Sequence, residues 1–313
     1  MEAAVLSALD CPEVAEVLLV EDGSTDGSGA IGEVLARHDP RVRLLHHPQH
    51  ANRGASASRN LGMAHARSPF LAFLDADDRY LPHRFHADAQ VFAQHPDADG
   101  CHGAVEAFFH DAEGERRYRE RGLPITTGVR YLVPPEGLFD GLCFKKDGFG
   151  HIHLDALTLR RSSLQRMDHA FQEELRLHQD SEFILRAAHY LRLWPGRTDR
   201  PVAQRGVHGG NRITAADRWG ESRMQQFALL HAWALREGLP PAVIRRFKAL
   251  SMAGRFRMGR GTLHRLHVLA SACAAPRLWE HHEWRMAAID AVCGEGSWCA
   301  RKLNATGWWI FGR

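Results

Sequence analysis

Long apolar runs are missing from this chain of 313 residues: none approaches the ~18 consecutive apolar residues of a membrane-spanning helix. The N-terminus lacks the basic-then-apolar pattern of a secretory signal. The six cysteines (Cys11, Cys101, Cys143, Cys273, Cys293 and Cys299) include no CxxC pair and no zinc-like spacing. They read as free thiols of a reducing compartment. Internal repeats and low-complexity tracts are lacking too. Charge imbalance is small: the net charge is +3 with His neutral, and 21 His make it more positive in mild acid. That balance is too weak to argue for nucleic acid. With 44% hydrophobic and 25% charged residues, the chain is long enough for one large domain or two modest ones. The expectation is a globular protein of the cytoplasm.

What is present centres on Phe70-Leu71-Ala72-Phe73-Leu74-Asp75-Ala76-Asp77-Asp78. The apolar run reads as a buried strand, and three carboxylates follow it within four positions. Such charges must meet a cation or stay in water. Carboxylates at a strand's C-terminal end, at the mouth of an α/β sheet, are placed to hold a divalent metal against phosphates. The plainer alternative is a solvated turn capping a helix that starts near Leu81-Pro82.

Upstream, a helix tail ends at Asp10-Cys11-Pro12, and a strand over Val14 to Val20 runs into the acidic loop Glu21-Asp22-Gly23-Ser24-Thr25-Asp26-Gly27-Ser28. A helix through Ile31 and Leu35, a strand over Val42 to His46 and the small-residue loop from Asn52 to Gly62 follow. Strand, loop, helix in this rhythm predicts a parallel sheet flanked by helices, with the special loops along one edge. Asp22, Arg59 and Asp77 then share a cleft. Downstream, Val105 to Phe109 reads as a strand, Gly114 to Gly122 as a charged polar stretch, and Pro134-Pro135 as loop. The spacing of Phe183, Ile184, Ala187, Ala188 and Leu191 predicts a helix with Glu182 and Arg186 as an i,i+4 pair and Asp180 in its first turn. After about Ala215 long helical patterns carry Trp and Arg (Arg245, Arg246, Lys248, Arg255, Arg257, Arg260 and Arg265). Such a basic face is either solvated or in peripheral contact with anionic lipid.

With these pieces in order, the chain resembles the inverting GT-A glycosyltransferases of the family 2 type. The residues that carry the resemblance are Val20 to Ser28, Asn52-x-Gly54, Arg59-Asn60-x-Gly62 and Leu74 to Asp78, then Gln179-Asp180 with Phe183 and Arg186, and Arg205 before His208. They span roughly residues 3–214. The resemblance implies a GT-A (Rossmann-like) α/β fold with a mixed, mostly parallel sheet, a nucleotide-sugar half over 1–100, an acceptor half over 101–214 and a helical region over 215–313. It implies a nucleotide-diphosphate sugar donor, with a UDP-sugar expected, and Mg²⁺ or Mn²⁺. Acceptors would be saccharide, lipid-linked or protein. Glu21, Asp22, Asn52, Gly54, Arg59, Asp75 and Ala76 would bind the nucleotide sugar; Asp77 and His208 would hold the metal; Asp180 would be the general base. The chemistry agrees: a diphosphate leaving group develops charge that a metal can neutralise, and inversion needs a base from another segment.

Family members open with a buried strand and a Pro-x-Tyr/Phe-Asn loop, whereas Glu2 to Leu9 looks like the second half of the helix that follows it. The expectation is a true start about 20 residues upstream, a strand and half a helix, or a truncated gene product. Gln179 also stands where an acidic residue is common. Two rival readings stay open: a catalytically inactive nucleotide-sugar-binding or scaffold protein, and a nucleotidyltransferase.

Overall fold

The structure is a computed structural model and describes residues 1–145, 148–210, 219–258, 262–274, 277, 281 and 284–288. It divides into two units, Met1–Ala215 and Ala216–Arg313. The first runs α1 (Glu2–Leu9), β1 (Val17–Glu21), α2 (Ser28–His38), β2 (Val42–His46), α3 (Ala55–His65), β3 (Phe70–Ala72), β4 (Arg79–Tyr80), α4 (His86–Gln94), β5 (Gly100–His102) and β6 (Ala104–Phe109). It continues with α5 (Ala112–Glu120), β7 (Thr126–Thr127), α6 (Pro135–Phe144), β8 (Leu157–Arg160), α7 (Gln179–Tyr190), β9 (Leu193–Pro195) and β10 (Pro201–Val207).

Three sheets result. β1 and β2 pair in parallel; the others have the orders β3-β8-β5-β9 and β4-β10-β6-β7. The second sheet places β8 antiparallel to both β3 and β5, with β9 parallel to β5. The third joins β10 to β6 in parallel and to β4 antiparallel. The fold is thus mixed α/β, with helices on the faces of its sheets. Helix α1 bridges two apolar clusters: Val5 joins Leu35 and Val42, while Ala8 joins Tyr80, Val105, Val202 and Ala203.

Three local readings change. The apolar run after Pro69 forms only three residues of strand, and Phe70 and Ala72 are exposed. The cause is position: β3 is the edge of its sheet, bonded only to β8 among the described strands. Phe70 instead lies against Phe92 and under the Arg160 guanidinium. The charged stretch near Gly114 is a helix, α5, held by ion pairs of Glu113 with Arg116 and Arg117 and of Glu115 with Arg119. It buries only Gly114 and Tyr118, too little for apolar periodicity to reveal it. Pro135 opens α6, where its missing N–H costs no helical hydrogen bond.

Buried charge is mostly paired. Arg186, fully buried on α7, donates to both oxygens of Glu182 at 2.7 and 2.8 Å. It also donates to Asp168 and to the carbonyls of His169 and Ala170, which ties the loop before α7 to that helix. Arg84 donates to Asp88, to the Asp155 carbonyl and to Thr158. Two features are less balanced. His102 is fully buried on β5 and neither ring nitrogen has a protein partner, so burial pushes its imidazole down to about 4. Asp78 and Asp155 lie together, 3% and 0% exposed. Burial, first of all, pushes both carboxyls above their ordinary range, helped at Asp78 by the charge of Asp155 and at Asp155 by the charge of Asp75. A proton held between the two carboxyls would link one oxygen of each, while the other Asp155 oxygen, Oδ2, lies 3.3 Å from His153 Nδ1.

The second unit holds α8 (Trp219–Arg236), α9 (Pro241–Met258) and α10 (Thr262–Ala274). Trp284 packs with Ala249, Ala253, Val268, Ala287 and Ala288, and Trp233 is also buried. Among the described residues no helix is long and apolar enough to cross a membrane. Arg260, Trp279, Cys293, Trp298, Cys299, Trp308 and Trp309 lie outside the described residues.

Two outcomes follow for stability. His102 binds its proton less readily when folded, so the stability present above pH 6.5 is lost as pH falls toward 4. Its share of that loss is on the order of 3 kcal/mol. Chemical denaturation across this range will show a shallower loss in His102→Leu than in wild type. Asp155→Asn gives Asp78 a permanent amide donor in place of a shared proton. Thermal unfolding at pH 7.5 should rise by about 2–4 °C; a lower midpoint would contradict the shared proton.

Candidate functional site

The site grows from loops at the ends of β1, β3 and β10 and from the first turns of α3 and α7. At the end of β1 the Glu21 carboxylate turns back on its own loop, accepting from Gly23 N at 3.1 Å and Ser24 N at 2.5 Å. The Ser24 amide, chiefly, holds its acidity above the usual carboxylate range, that is, its pKa is lowered. Asp22 reaches across to the N-terminus of α3, where its oxygens accept from Arg53 N at 2.6 Å and Gly54 N at 2.9 Å. Asn52 returns the link by donating Nδ2 to the Asp22 carbonyl at 2.8 Å. Asp22, Asn52 and Gly54 therefore form one stitched unit. Gly54 suits that place because its φ is +86°, a conformation that L side chains rarely adopt.

Arg59 sits one turn further along α3 with its side chain 13% exposed. Its Nη2 donates to Asp75 Oδ1 at 2.6 Å, the Phe171 ring lies 5.5 Å from its guanidinium carbon, and Nη1 has no protein partner. Burial alone would weaken its hold on the proton; the charges of Asp75 and Asp180 outweigh that and raise its pKa. This places Asp180, on the first turn of α7, within electrostatic reach of Arg59 although they are far apart in sequence. Asp180 Oδ1 accepts from Ser181 N at 2.7 Å, and its charge also bears on the imidazoles of His151 and His153. Burial, first of all, pushes His151 down to about 4.

Beyond Asp75 the chain divides its carboxylates. Asp77 stays at the surface, its Oδ2 3.8 Å from His208 Nε2, with both side chains about 40% exposed. Asp78 turns inward and accepts from Gly206 N at 2.7 Å, so it is not a helix cap. Ala76, Asp77, His110 and His208 line a cavity of about 290 Å³ together with Met1 and Ala4.

His208 is held from α5, which sequence reasoning missed. Asp111 caps that helix by accepting from Gly114 N at 2.6 Å and also accepts from Gly209 N at 3.2 Å. Arg117 donates to the Gly209 carbonyl at 3.0 Å. Gly114 is the contact point: a Cβ there would sit 2.6 Å from His208 Cα. Arg205, on β10, donates to the Tyr118 hydroxyl at 2.8 Å and lies against its ring, so it braces the same helix. Phe171 under Arg59, and His153 beside Asp155, are further participants without a sequence signal. Only the Asp-x-x-Gly cap at Asp111 was readable in principle.

A site with stitched acidic loops, one buried arginine between two carboxylates and an exposed carboxylate–imidazole pair is built to receive a charged substrate. Comparison with known proteins says which kind. Residues 1–166, more than half of the chain, match Glycosyl transferase family 2. The chain is 31% identical over 173 residues to the uncharacterized glycosyltransferase EpsJ of Bacillus subtilis, covering 55% of this chain and 47% of that one. It is 35% identical over 196 residues to the succinoglycan biosynthesis protein ExoU of Rhizobium meliloti, covering 59% and 52%. This chain thus spans about half the length of either relative. In structure it is similar to S. aureus TarS 1-349 in complex with UDP-GlcNAc, with a TM-score of 0.65 at 17% identity, over 98% of this chain and 88% of that one. That identity speaks for the fold, which is GT-A. The chain belongs to Glycosyl transferase family 2.

Proposed function

We propose that this protein is an inverting, metal-dependent glycosyltransferase, moving a sugar from a nucleotide-diphosphate sugar to a hydroxyl of a saccharide acceptor. The observation that carries the reading is the placement of Asp180, from α7, beside Arg59, which in turn grips Asp75. A base contributed by one half of the unit thereby faces the residues proposed to bind the donor in the other. In this reading residues 1–100 bind the nucleotide sugar and residues 101–214 receive the acceptor. The donor proposed is a UDP-sugar, as in the UDP-GlcNAc complex on the same fold. The saccharide acceptor is proposed from the name of ExoU, a succinoglycan biosynthesis protein.

Glu21, Asp22, Asn52 and Gly54 would frame the nucleoside end, where the hydrogen bonds among them make the loop rigid before any ligand arrives. Arg59, Asp75 and Ala76 would face the ribose and diphosphate, and the unpartnered Nη1 of Arg59 is a donor available to a phosphate oxygen. Asp77 and His208 suit Mg²⁺ or Mn²⁺: one carboxylate and one imidazole, both accessible, leave coordination positions for phosphate oxygens. The chemistry such an ion supplies when bound is neutralisation of the charge that develops on the leaving group. Asp180 takes the proton of the acceptor hydroxyl as its oxygen bonds to the anomeric carbon from the face opposite the diphosphate. The anomeric C–O bond breaks, its electron pair leaves with the nucleoside diphosphate, and configuration inverts.

Two measurements test this. With UDP-sugars and Mn²⁺, Asp180→Asn will lower UDP release by roughly 10²–10⁴-fold while calorimetric UDP affinity stays as in wild type. Turnover equal to wild type would remove Asp180 as the base. Gly114→Ala drives a methyl into the His208 backbone and away from Asp77. Mn²⁺ affinity, followed by electron paramagnetic resonance, will fall by roughly 10–100-fold. An unchanged affinity would show that His208 does not hold the ion.

A further inference from the structure

A second cluster of metal-ligating side chains, separate in sequence from Asp77 and His208, lies at the C-terminal end of the β1–β2 pair. The parallel register sets Glu21 beside His46, the last residue of each strand. The chain then turns through Pro48–His50, where Gln49 and His50 take φ of 59° and 51°. Two consecutive non-glycine residues in the left-handed region cost roughly 1–2 kcal/mol each. The turn returns the His50 ring to 4.6 Å from the His46 ring, centroid to centroid, at 60°. One ligand atom from each of Glu21, His46 and His50 lies within 4.8 Å of the other two. Glu21 Oε2 is 3.7 Å from His46 Nδ1, too long for a hydrogen bond. The carboxylate is meanwhile held in place by the Gly23 and Ser24 amides, one on each oxygen.

We propose that Glu21, His46 and His50 form a surface site for a first-row transition ion, with Zn²⁺ as the probe that fits best. Two imidazoles and one carboxylate are the ligand types such ions prefer, and oxygen-seeking Mg²⁺ is disfavoured by the same set. Tetrahedral bonds of about 2.1 Å put ligand atoms about 3.4 Å apart. The exposed rings of His46 and His50 reach that spacing by side-chain rotation alone, and the fourth position stays open to water or to a ligand. The site shares Glu21 with the nucleoside end proposed above, and His46 and His50 belong to it alone.

The test is calorimetric titration of the full chain with Zn²⁺ at pH 7.5, with Asp77→Asn titrated beside it to identify any Zn²⁺ taken by the Asp77–His208 pair. The expected result is one Zn²⁺ per chain whose affinity falls at least tenfold in both His46→Ala and His50→Ala, and is unchanged in Asp77→Asn. Circular dichroism checks that the variants are folded, which the exposure of both rings favours. No saturable Zn²⁺ binding, wild-type affinity in either His variant, or loss confined to Asp77→Asn would each overturn the site. Because the readout is metal alone, its failure would leave the transferase reading intact, and the reverse holds too.

Discussion

Four carboxylates at one end of the β3–β8 pair are the constraint the first unit is built around. β8 runs antiparallel to β3, so the residues just before it, including Asp155, arrive where Asp75, Asp77 and Asp78 leave β3. Like charges at such separations in a poorly solvated place repel strongly. Each of the four meets a different answer. Asp75 is neutralised by Arg59, Asp77 stays in water beside His208, and Asp78 takes the Gly206 amide while sharing a proton with Asp155. The consequence is a graded cluster in which only the outer members remain available to a substrate or an ion.

The loops around this cluster are held mainly by carboxylates accepting backbone N–H bonds. Asp22 fastens the loop after β1 to the start of α3, and Asp111 fastens the turn after β10 to the start of α5. Both devices use helix N-termini, whose amides have no partner within the helix. Each bond fixes a loop to an element with its own packed face, so the site's side chains are carried on a rigid support. Arg186 does the same from within the core, spanning Glu182 and three residues of the preceding loop, and so sets where α7 begins and where Asp180 stands.

Much of the architecture was legible because burial leaves a periodic trace. The apolar spacing along α7 matches its buried face, and the strand–loop–helix rhythm of the first hundred residues matches β1 through α3. The elements that escaped are those stabilised otherwise. Helix α5 rests on exposed ion pairs and one buried tyrosine, and β3 gains little burial because it is an edge. The pair expected on α7, Glu182 with Arg186, forms and is fully buried; spacing reports which residues meet and not what covers them.

By itself the sequence determined the fold class, the order of the loops and the set of acidic residues that end the strands. These depend on local propensity and on periods of two or 3.6 residues, which a linear text carries. Only the tertiary structure decided which carboxylates face water, which share a proton and which serve backbone amides. Asp77 and Asp78 are neighbours in the chain and opposite in environment, one beside His208 at the surface and one against Gly206 in the interior. That difference comes from β8, β10 and α5, segments distant in sequence whose packing sets the solvation of each charge.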